Sequence, residues 1–382
     1  MSLVRILRNR SVARVGRALL LLAMGFSVAT GREAEQPAKN TLGLGLYCAP
    51  FATAEETSEF IAKCQHHGVK TLYPSLSGGG TVIWRTDKEL YYTALKDALD
   101  QGYDSLADLI SQAHAAGMKV YPSVAICPAC KFLDEHPEWE THDRTGKLSS
   151  ATTTRAFSPA FPAARAAKIA VLMDLVNGYE VDGVMLDYCR YPENSKSAET
   201  KYGYYGYDEP HLTACQTKHN FDPRTEPIDS RQWNVFNKLR EDSVTAFVRE
   251  FRTAVDRSGK KIRIGGFGDT DPAYEARMCG RNCVAWARQG LIDDYFLATY
   301  AEGIDEMPKV VKRARRMAGP QVVLLSALSP FNRFLTTNDQ MVAATKAQLA
   351  AGADGVWIYR SDFLDELKLW DGASAAAKLV AR

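Results

Sequence analysis

Asp187 is the residue whose surroundings most clearly indicate chemistry. It ends the apolar run Val184–Leu186, and Tyr188 and Arg190 follow it. A carboxylate at the end of a buried strand costs free energy unless it is paired or faces a polar cleft. Arg190 is a candidate partner that would keep Asp187 ionised, because a nearby cation favours the charged form. A purely structural Asp–Arg pair is the alternative interpretation.

Hydrolysis of a glycosidic bond would use Asp187 together with a second acid. One carboxyl group protonates the leaving oxygen, and the other attacks the anomeric carbon or activates water. Four acidic residues follow other predicted strands and are candidates for this second group: Asp269, Asp271, Glu302 and Asp362. Asp269 is favoured, because the glycines around it allow the backbone to approach a ligand closely. Capping of a helix near Pro272 is an equally suitable role for the aspartates at 269 and 271.

Aromatic and basic residues at strand ends, or next to Asp187, are candidates for binding sugar rings. They are Tyr47, Tyr188, Arg190, Tyr191, Tyr300 and Arg360. Aromatic side chains combine a large apolar face with a polar edge, which suits such ligands. No Ser-His-Asp order, Gly-x-Ser-x-Gly, His-Glu-x-x-His or phosphate-binding loop occurs in the sequence, which disfavours the enzyme classes built on those motifs.

The elements that would position these residues are short apolar runs alternating with amphipathic stretches, an order typical of parallel α/β sheets. Glycines such as Gly68, Gly117 and Gly352 precede several runs and would end the helices before them. The pattern predicts a single (β/α)₈ TIM barrel, whose strand C-terminal ends carry the active site. The predicted strands are Leu42–Tyr47, Val69–Pro74, Lys119–Ala125, Gly183–Asp187, Lys261–Phe267, Tyr295–Tyr300, Val322–Ser326 and Gly355–Tyr359. The predicted helices include Ser58–His67, Leu106–Ala116, Ala163–Asn177 and Trp233–Ser258.

Two long loops are expected on the catalytic face, one after strand three and one after strand four. They run from Cys127 to about Pro162 and from Tyr191 to about Ser230. The second loop contains the tyrosine-rich segment 201–208. These tyrosines either stack on sugars or pack the loop, and tyrosine suits both roles equally. The Asp-Gly pairs that precede strands four and eight are expected at the opposite end of the barrel, where they serve stability.

The N-terminal segment has the order of a secretory signal. Arginines precede an apolar run from Ala18 to Val28, and small residues follow it. We therefore predict a signal peptide over 1–30, a linker over 31–40, a catalytic barrel over 41–382, and export to the periplasm or the medium. An uncleaved N-terminal anchor is the alternative. Removing the five arginines of this segment leaves 42 basic against 45 acidic residues, and no basic patch indicates nucleic acid.

Eight cysteines are many for a cytosolic protein and ordinary for an exported one. One interpretation of the spacing is a zinc site formed by Cys127, Cys130, Cys279 and Cys283. Disulfides are favoured because the chain is predicted to be exported, and no metal or other cofactor is predicted. Stable membrane insertion is not expected once the signal is cleaved, and the sequence does not indicate an oligomeric state.

Several segments resemble the bacterial glycosyl hydrolase-like 10 family of exported TIM-barrel proteins. They are Glu135–Glu140, Asp143–Gly146, Ser158–Arg165, Tyr179–Pro192 and Trp286–Tyr295, and the resemblance covers roughly Leu42 to Tyr359. It implies a hydrolase acting on a polysaccharide or cell-wall glycan, with the fourth-strand aspartate, Asp187, as nucleophile. This chain has Tyr188 where some members carry a second acid, and its Cys189 is also unusual for the family.

The combined expectation is a retaining glycosidase, with Asp187 as nucleophile and Asp269 or Glu302 as general acid and base. A non-catalytic carbohydrate-binding protein on a decayed barrel is the main alternative, favoured by the missing second acid on strand four. A metal-dependent hydrolase that uses Asp187 with His or Cys ligands is a weaker one.

Overall fold

The fold is built around one parallel sheet. The computed structural model describes residues 42–75, 79–129, 131–151, 153–192, 204–268, 271–299, 303–331 and 334–381. The strands are β1 (Leu44–Cys48), β2 (Val69–Pro74), β3 (Lys119–Val120), β4 (Ser123–Ala125), β5 (Gly183–Asp187), β6 (Arg263–Gly268), β7 (Asp294–Leu297), β8 (Val323–Leu328) and β9 (Gly355–Ile358). They lie in the order β3-β2-β1-β9-β8-β7-β6-β5-β4, and every pair is parallel.

Helices connect the successive strands. They are α1 (Ala54–His66), α2 (Lys96–Asp100), α3 (Ser105–Ala115), α4 (Lys131–Glu135), α5 (Pro162–Gly178), α6 (Glu209–His219), α7 (Arg231–Ser258), α8 (Pro272–Cys279), α9 (Cys283–Arg288), α10 (Met307–Ala318), α11 (Asn338–Ala350), α12 (Ser361–Glu366) and α13 (Trp370–Val380). The four predicted helices are confirmed as α1, α3, α5 and α7. Helix α1 begins four residues before the prediction, because the hydroxyl of Thr53 caps it by accepting from the Glu56 amide at 3.2 Å.

The sheet closes on itself through the third predicted strand, which is broken into β3 and β4. Strand β3 pairs with β2 and β4 pairs with β5, so the two ends of the sheet are neighbours in the chain. The Tyr121 amide donates to the Leu72 carbonyl at 2.8 Å, and a parallel bridge joins Ser75 to Ser123. Pro122 has no N–H to contribute at the break. The predicted barrel is confirmed. Across the described residues it has nine strands instead of eight, because β3 and β4 together take the place of the third predicted strand.

Aromatic side chains fill the barrel interior. They are Tyr47, Tyr73, Tyr121, Phe267, Phe296 and Trp357, packed with Met185. Three glycines in the strands make room for them. A Cβ on Gly45 would overlap the ring of Tyr73, a Cβ on Gly183 would overlap Tyr121, and a Cβ on Gly265 would overlap Phe296. The interior is therefore a packed floor beneath the strand C-terminal ends.

Aspartates at the strand N-terminal ends tie neighbouring strands together. Asp182 accepts from the Val120 amide at 2.8 Å, and Asp354 accepts from the Leu324 amide at 2.9 Å. These two residues belong to the Asp-Gly pairs that the sequence assigns to stability. Asp294 is fully buried nearby and binds Arg263 through two hydrogen bonds, at 2.8 and 2.5 Å.

The long loops lie where they were predicted, after β4 and after β5, and they contain α4 and α6 respectively. In the second loop, Tyr204, Tyr205 and Tyr207 are buried, and Tyr204 and Tyr207 pack in a cluster with Trp233 and Phe236. Loop packing is therefore the interpretation that the structure supports for these three tyrosines, because their ring faces are not available to a ligand.

The cysteines differ from the expectation of disulfides. All seven that the structure describes are buried, and no disulfide joins any two of them; Cys130 lies outside the described residues. The physical reason is that each occupies a packed position, where cysteine behaves as a small apolar side chain. Burial also raises the pKa of Cys127 to about 12, so that thiol stays protonated. None of the described helices has both the length and the apolar character required to cross a membrane.

Candidate functional site

Asp187 lies at the C-terminal end of β5, where the backbone leaves the sheet. Its side chain is half-buried, and one carboxylate oxygen accepts from the Tyr188 amide at 2.7 Å. Its carbonyl accepts from the Ile126 amide at 2.9 Å, which fixes it against the strand extension that follows β4. The carboxylate is thus held on a rigid element and open to solvent on one side, as a catalytic carboxylate must be.

The residue after Asp187 has a strained backbone. Tyr188 has a φ of 46°, in the left-handed region that bulky residues seldom adopt. The Arg190 guanidinium lies 5.3 Å from the Tyr188 ring centroid, and the Arg190 amide donates to the Tyr188 carbonyl at 2.8 Å. The chain thus turns tightly directly after the amide that donates to Asp187. Strain of this kind concentrates at functional sites.

Burial dominates the electrostatics of Asp187 and raises its pKa above the ordinary aspartate value. The Tyr188 amide opposes this rise by donating to the carboxylate, and the cations Arg281 and Arg190 oppose it by charge. Arg190 therefore lowers the pKa of Asp187, as predicted. The lowering by Arg281 is the larger of the two effects. The carboxyl group therefore titrates at a higher pH than an exposed aspartate, and the surrounding cations limit this shift.

Arg281 was not found by sequence reasoning. It follows α8 in a loop, is only 4% exposed, and forms a buried ion pair with Glu275 of α8. Its guanidinium also lies 5.9 Å from the Phe267 ring centroid, at the end of the strand next to Asp187. Nothing in the local pattern marks an arginine that reaches the site from a loop, so only the tertiary structure reveals it.

A group of hydroxyls faces Asp187 across the top of the barrel. The Tyr47 hydroxyl donates to Ser75 Oγ at 2.5 Å. Burial raises the pKa of the Tyr47 phenol and of the Asp187 carboxyl, and the nearby Ser123 hydroxyl opposes the rise in both. Tyr359 lies beside Tyr47, with ring centroids 5.0 Å apart. These residues give one wall of the site a polar, hydrogen-bonding surface.

Two cavities open on this face of the barrel. The larger, which we call the Tyr47 cleft, has a volume of about 480 Å³, and its lining includes Tyr47, Glu56, Tyr92, Arg360 and Asp362. The smaller has a volume of about 170 Å³, and its lining includes Cys127, Thr153, Tyr188, Arg190 and Pro192. The structure thus brings four of the predicted binding residues, Tyr47, Tyr188, Arg190 and Arg360, to cavity walls, whereas Asp187 itself lines neither cavity.

The remaining predicted residues are placed differently. Tyr191 is fully buried, and Arg240 lies 5.2 Å from its ring centroid, so its ring is covered by protein. Asp269, Tyr300 and Glu302 lie outside the described residues. Asp271 caps α8 by accepting from the Tyr274 amide at 3.1 Å, which agrees with the capping interpretation for this aspartate. Asp362 is held by Arg360 in a bidentate pair.

No metal site is apparent in the described ranges. No cluster of three or more His, Cys, Asp or Glu side chains within them has the arrangement needed to hold a metal ion. Asp187 is surrounded there by hydroxyls, arginines and tyrosines, which are poor partners for a divalent cation.

Three solved structures share this architecture. The glycoside hydrolase domain of PgaB (BpsB) from Bordetella bronchiseptica superposes with a TM-score of 0.66 and 12% identity, over 88% of this chain and 99% of that one. The catalytic domain of β-amylase from Paenibacillus polymyxa gives 0.61 and 13%, over 89% and 98%. A β-galactosidase from Marinomonas ef1 gives 0.60 and 12%, over 89% and 59%. At such identities the likeness establishes the fold alone.

The fold is therefore the barrel that these glycoside hydrolases use. A family model described as glycosyl hydrolase-like 10 matches residues 44–324, which include strands β1 to β7 and the Asp187 site. The chain belongs to the glycosyl hydrolase-like 10 family, as its motifs predicted. Among curated proteins, none matches the sequence significantly.

Proposed function

We propose that this protein is an exported glycoside hydrolase in which Asp187 is a catalytic carboxylate. The observation that carries the proposal is the position of Asp187, on the C-terminal end of a barrel strand and directly before Tyr188, which lines the smaller cavity. Membership of a glycosyl hydrolase-like family supports the reaction class. The basic and apolar start of the chain supports export, with a signal peptide over 1–30, a linker over 31–40 and the barrel over 41–382.

The proposed mechanism is retaining, with Asp187 as nucleophile. The ionised form of Asp187 attacks the anomeric carbon, and the Tyr188 amide with the nearby Arg281 stabilises that form. Asp269 or Glu302 is proposed as the general acid that protonates the leaving oxygen and then deprotonates water. In a crystal structure, a carboxyl separation of about 5 Å would support retention, whereas about 7–9 Å would indicate inversion.

The test is a screen of the purified mature protein against peptidoglycan glycans and a panel of polysaccharides. Asp187→Asn should lower turnover of the substrate found by roughly 10²–10⁴-fold, while the melting temperature does not fall. Asp182→Asn is the matched control, since Asp182 lies in the same motif at the opposite end of β5. Full activity of Asp187→Asn would refute the assignment.

A carbohydrate-binding protein without catalysis is the second candidate. The observation that favours it concerns the carboxylates of the Tyr47 cleft in the described part of the chain. Asp362 is engaged by Arg360, and Glu56 accepts from the Ala52 amide at 3.1 Å. Neither is therefore poised as a general acid. Binding of a glycan with no turnover by the unmodified protein would favour this candidate over the enzyme.

A further inference from the structure

An exposed aromatic surface adjoins the Tyr47 cleft. We call it the aromatic shelf, and it consists of Phe331, Tyr359 and Phe363. Phe331 is 55% exposed, the largest fraction among the large apolar residues that the structure describes. Its ring lies edge-on to Tyr359 at 6.3 Å and to Phe363 at 6.0 Å. An exposed apolar group beside a cleft is typical of a ligand-binding surface.

The shelf is held in place by its neighbours. The Phe331 amide donates to the hydroxyl of Ser329, which is buried, at 3.1 Å. The Tyr359 amide donates to the carbonyl of Leu328, the last residue of β8, at 3.0 Å. Phe331 therefore follows directly after the end of a barrel strand, and its backbone is tied to that strand end.

The shelf is continuous with the site of Asp187. Tyr359 contacts Tyr47 on one side and Phe331 on the other, so the three rings form a row along the barrel rim from β1 past the end of β9 to the end of β8. Burial raises the pKa of Tyr47 and of Tyr359, and the charge of Asp187 raises both further. Phe331 lies one ring contact further out.

A polar pair lies beside these rings. Arg360 forms a bidentate pair with Asp362, with distances of 2.8 to 2.9 Å from its Nε to the two oxygens, and its guanidinium lies 5.8 Å from the Phe363 centroid. The pair is neutral overall, and it offers N–H donors and carboxylate acceptors next to an apolar face. Uncharged sugar rings require this combination, because they present C–H faces and hydroxyl edges.

We infer that the aromatic shelf is a subsite for a sugar unit beyond the two that flank the scissile bond at Asp187, and that the ligand is therefore an oligomeric glycan. This inference rests on the proposed carbohydrate function. The occupant is an uncharged ring of the same glycan chain, stacked on Phe331 and hydrogen-bonded to the Arg360–Asp362 pair. A monosaccharide or disaccharide at Asp187 would leave Phe331 uncovered.

The experiment measures glycan binding in the full-length mature Asp187→Asn protein, so that turnover does not interfere. Isothermal titration with malto-, cello- and chito-oligosaccharides compares disaccharides with hexasaccharides. Phe331→Ala should weaken hexasaccharide binding by about 3- to 10-fold, as expected for the loss of one aromatic contact, and should leave disaccharide binding unchanged. Phe331→Tyr should restore the affinity for the hexasaccharide.

Phe334→Ala is the matched control, because Phe334 lies on the same loop and is 43% exposed. Equal affinities in Phe331→Ala and Phe334→Ala would overturn the subsite. A change of molecular mass in light scattering with unchanged glycan binding would also overturn it, because Phe331 would then contact a second copy of the chain.

The outcomes separate the subsite from the proposed enzyme. Phe331-dependent binding without cleavage by the unmodified protein would support the shelf and refute the hydrolase. Cleavage with an unchanged KM for hexasaccharides in Phe331→Ala would support the hydrolase and refute the shelf. If none of the oligosaccharides binds, the shelf is refuted as a glycan subsite.

Discussion

The two ends of the barrel use aspartate in opposite ways. At the strand N-terminal ends, Asp294 is fully buried and takes hydrogen bonds from Arg263 and from the Tyr121 hydroxyl, the latter at 2.7 Å. At the C-terminal ends, Asp187 is half-buried, and its nearest hydrogen bond comes from the amide of the next residue. The first carboxylate is enclosed by donors that hold the sheet together, and the second remains open to a ligand.

This difference explains why position along a strand carries functional information. A carboxylate satisfied by neighbouring strands stabilises the fold and has no capacity left for a substrate. Burial raises the pKa of both Asp294 and Asp187, but only Asp187 has its cations outside its immediate contacts and a partly exposed side chain that can meet a substrate. Four variants would break or sharpen the contrast between the two ends.

Asp294→Ala is expected to have the largest effect on stability. It removes one partner of a buried ion pair and leaves Arg263 without its carboxylate, which costs about 3–5 kcal/mol. The free energy of unfolding from denaturant titration measures this loss. Asp187→Asn is the matched comparison at the other end. An equal loss in both variants would remove the distinction between the ends.

Asp182→Ala should have the next largest effect. Asp182 accepts from the Val120 amide in the neighbouring strand, and its loss leaves a partly buried donor unsatisfied, at a cost of about 1–3 kcal/mol. Turnover by the folded fraction should stay unchanged. If denaturant titration finds no loss of stability, the assignment of this Asp-Gly turn to stability would be wrong.

The double variant Glu275→Gln with Arg281→Gln tests the cation that the sequence did not reveal. It removes both buried charges, so neither is left unpaired, and it deprives Asp187 of a favourable charge. The pKa of Asp187 should rise further, and the acid limb of the kcat/KM profile should therefore move to higher pH. Arg281→Lys should keep the limb near its original position. An unmoved limb in the double variant would show that Arg281 does not act on Asp187.

Asp187→Asn should change stability least, and in the direction opposite to the changes at the other end. Burial raises the folded-state pKa of Asp187 above its unfolded value, so ionisation in the folded state costs free energy. Below the unfolded-state pKa, Asp187 is protonated in both states and does not lower the free energy of unfolding. As the pH rises through the folded-state pKa, Asp187 ionises and the free energy of unfolding falls. Asp187→Asn should thus be slightly more stable than the parent at neutral pH and equal to it in acid. Thermal melts at several pH values would detect a contrary loss.

The sequence predicts the strands that position Asp187 better than the loops that surround it. Val69–Pro74 and Gly183–Asp187 are strands with the predicted bounds, because buried parallel strands are short apolar runs. The break at Pro122 also had a signal, since proline rarely lies inside a central strand. The run Lys119–Ala125 nevertheless predicts a single strand, because Val120, Tyr121 and Val124 favour strand conformation.

The surroundings of the site depend on tertiary contacts that no local pattern encodes. Tyr188 and Tyr191 lie in the same sequence motif. Tyr191 is nevertheless buried against Arg240, whereas Tyr188 lines a cavity. Arg281 reaches Asp187 from a loop more than ninety positions away in the chain. Proximity of this kind arises from the closure of the barrel, so it becomes visible only in the folded molecule.

The pairing of glycines with aromatic rings inside the barrel has an evolutionary consequence. Gly45 accommodates Tyr73, and Gly265 accommodates Phe296, each from the neighbouring strand. A larger residue at either glycine is tolerated only if its partner ring shrinks in the same lineage. In an alignment of related chains, positions 45 and 73 should therefore covary, as should positions 265 and 296. Paired substitutions of this kind keep the packed volume of the barrel interior constant. The individual side chains can therefore diverge while the barrel diameter is kept.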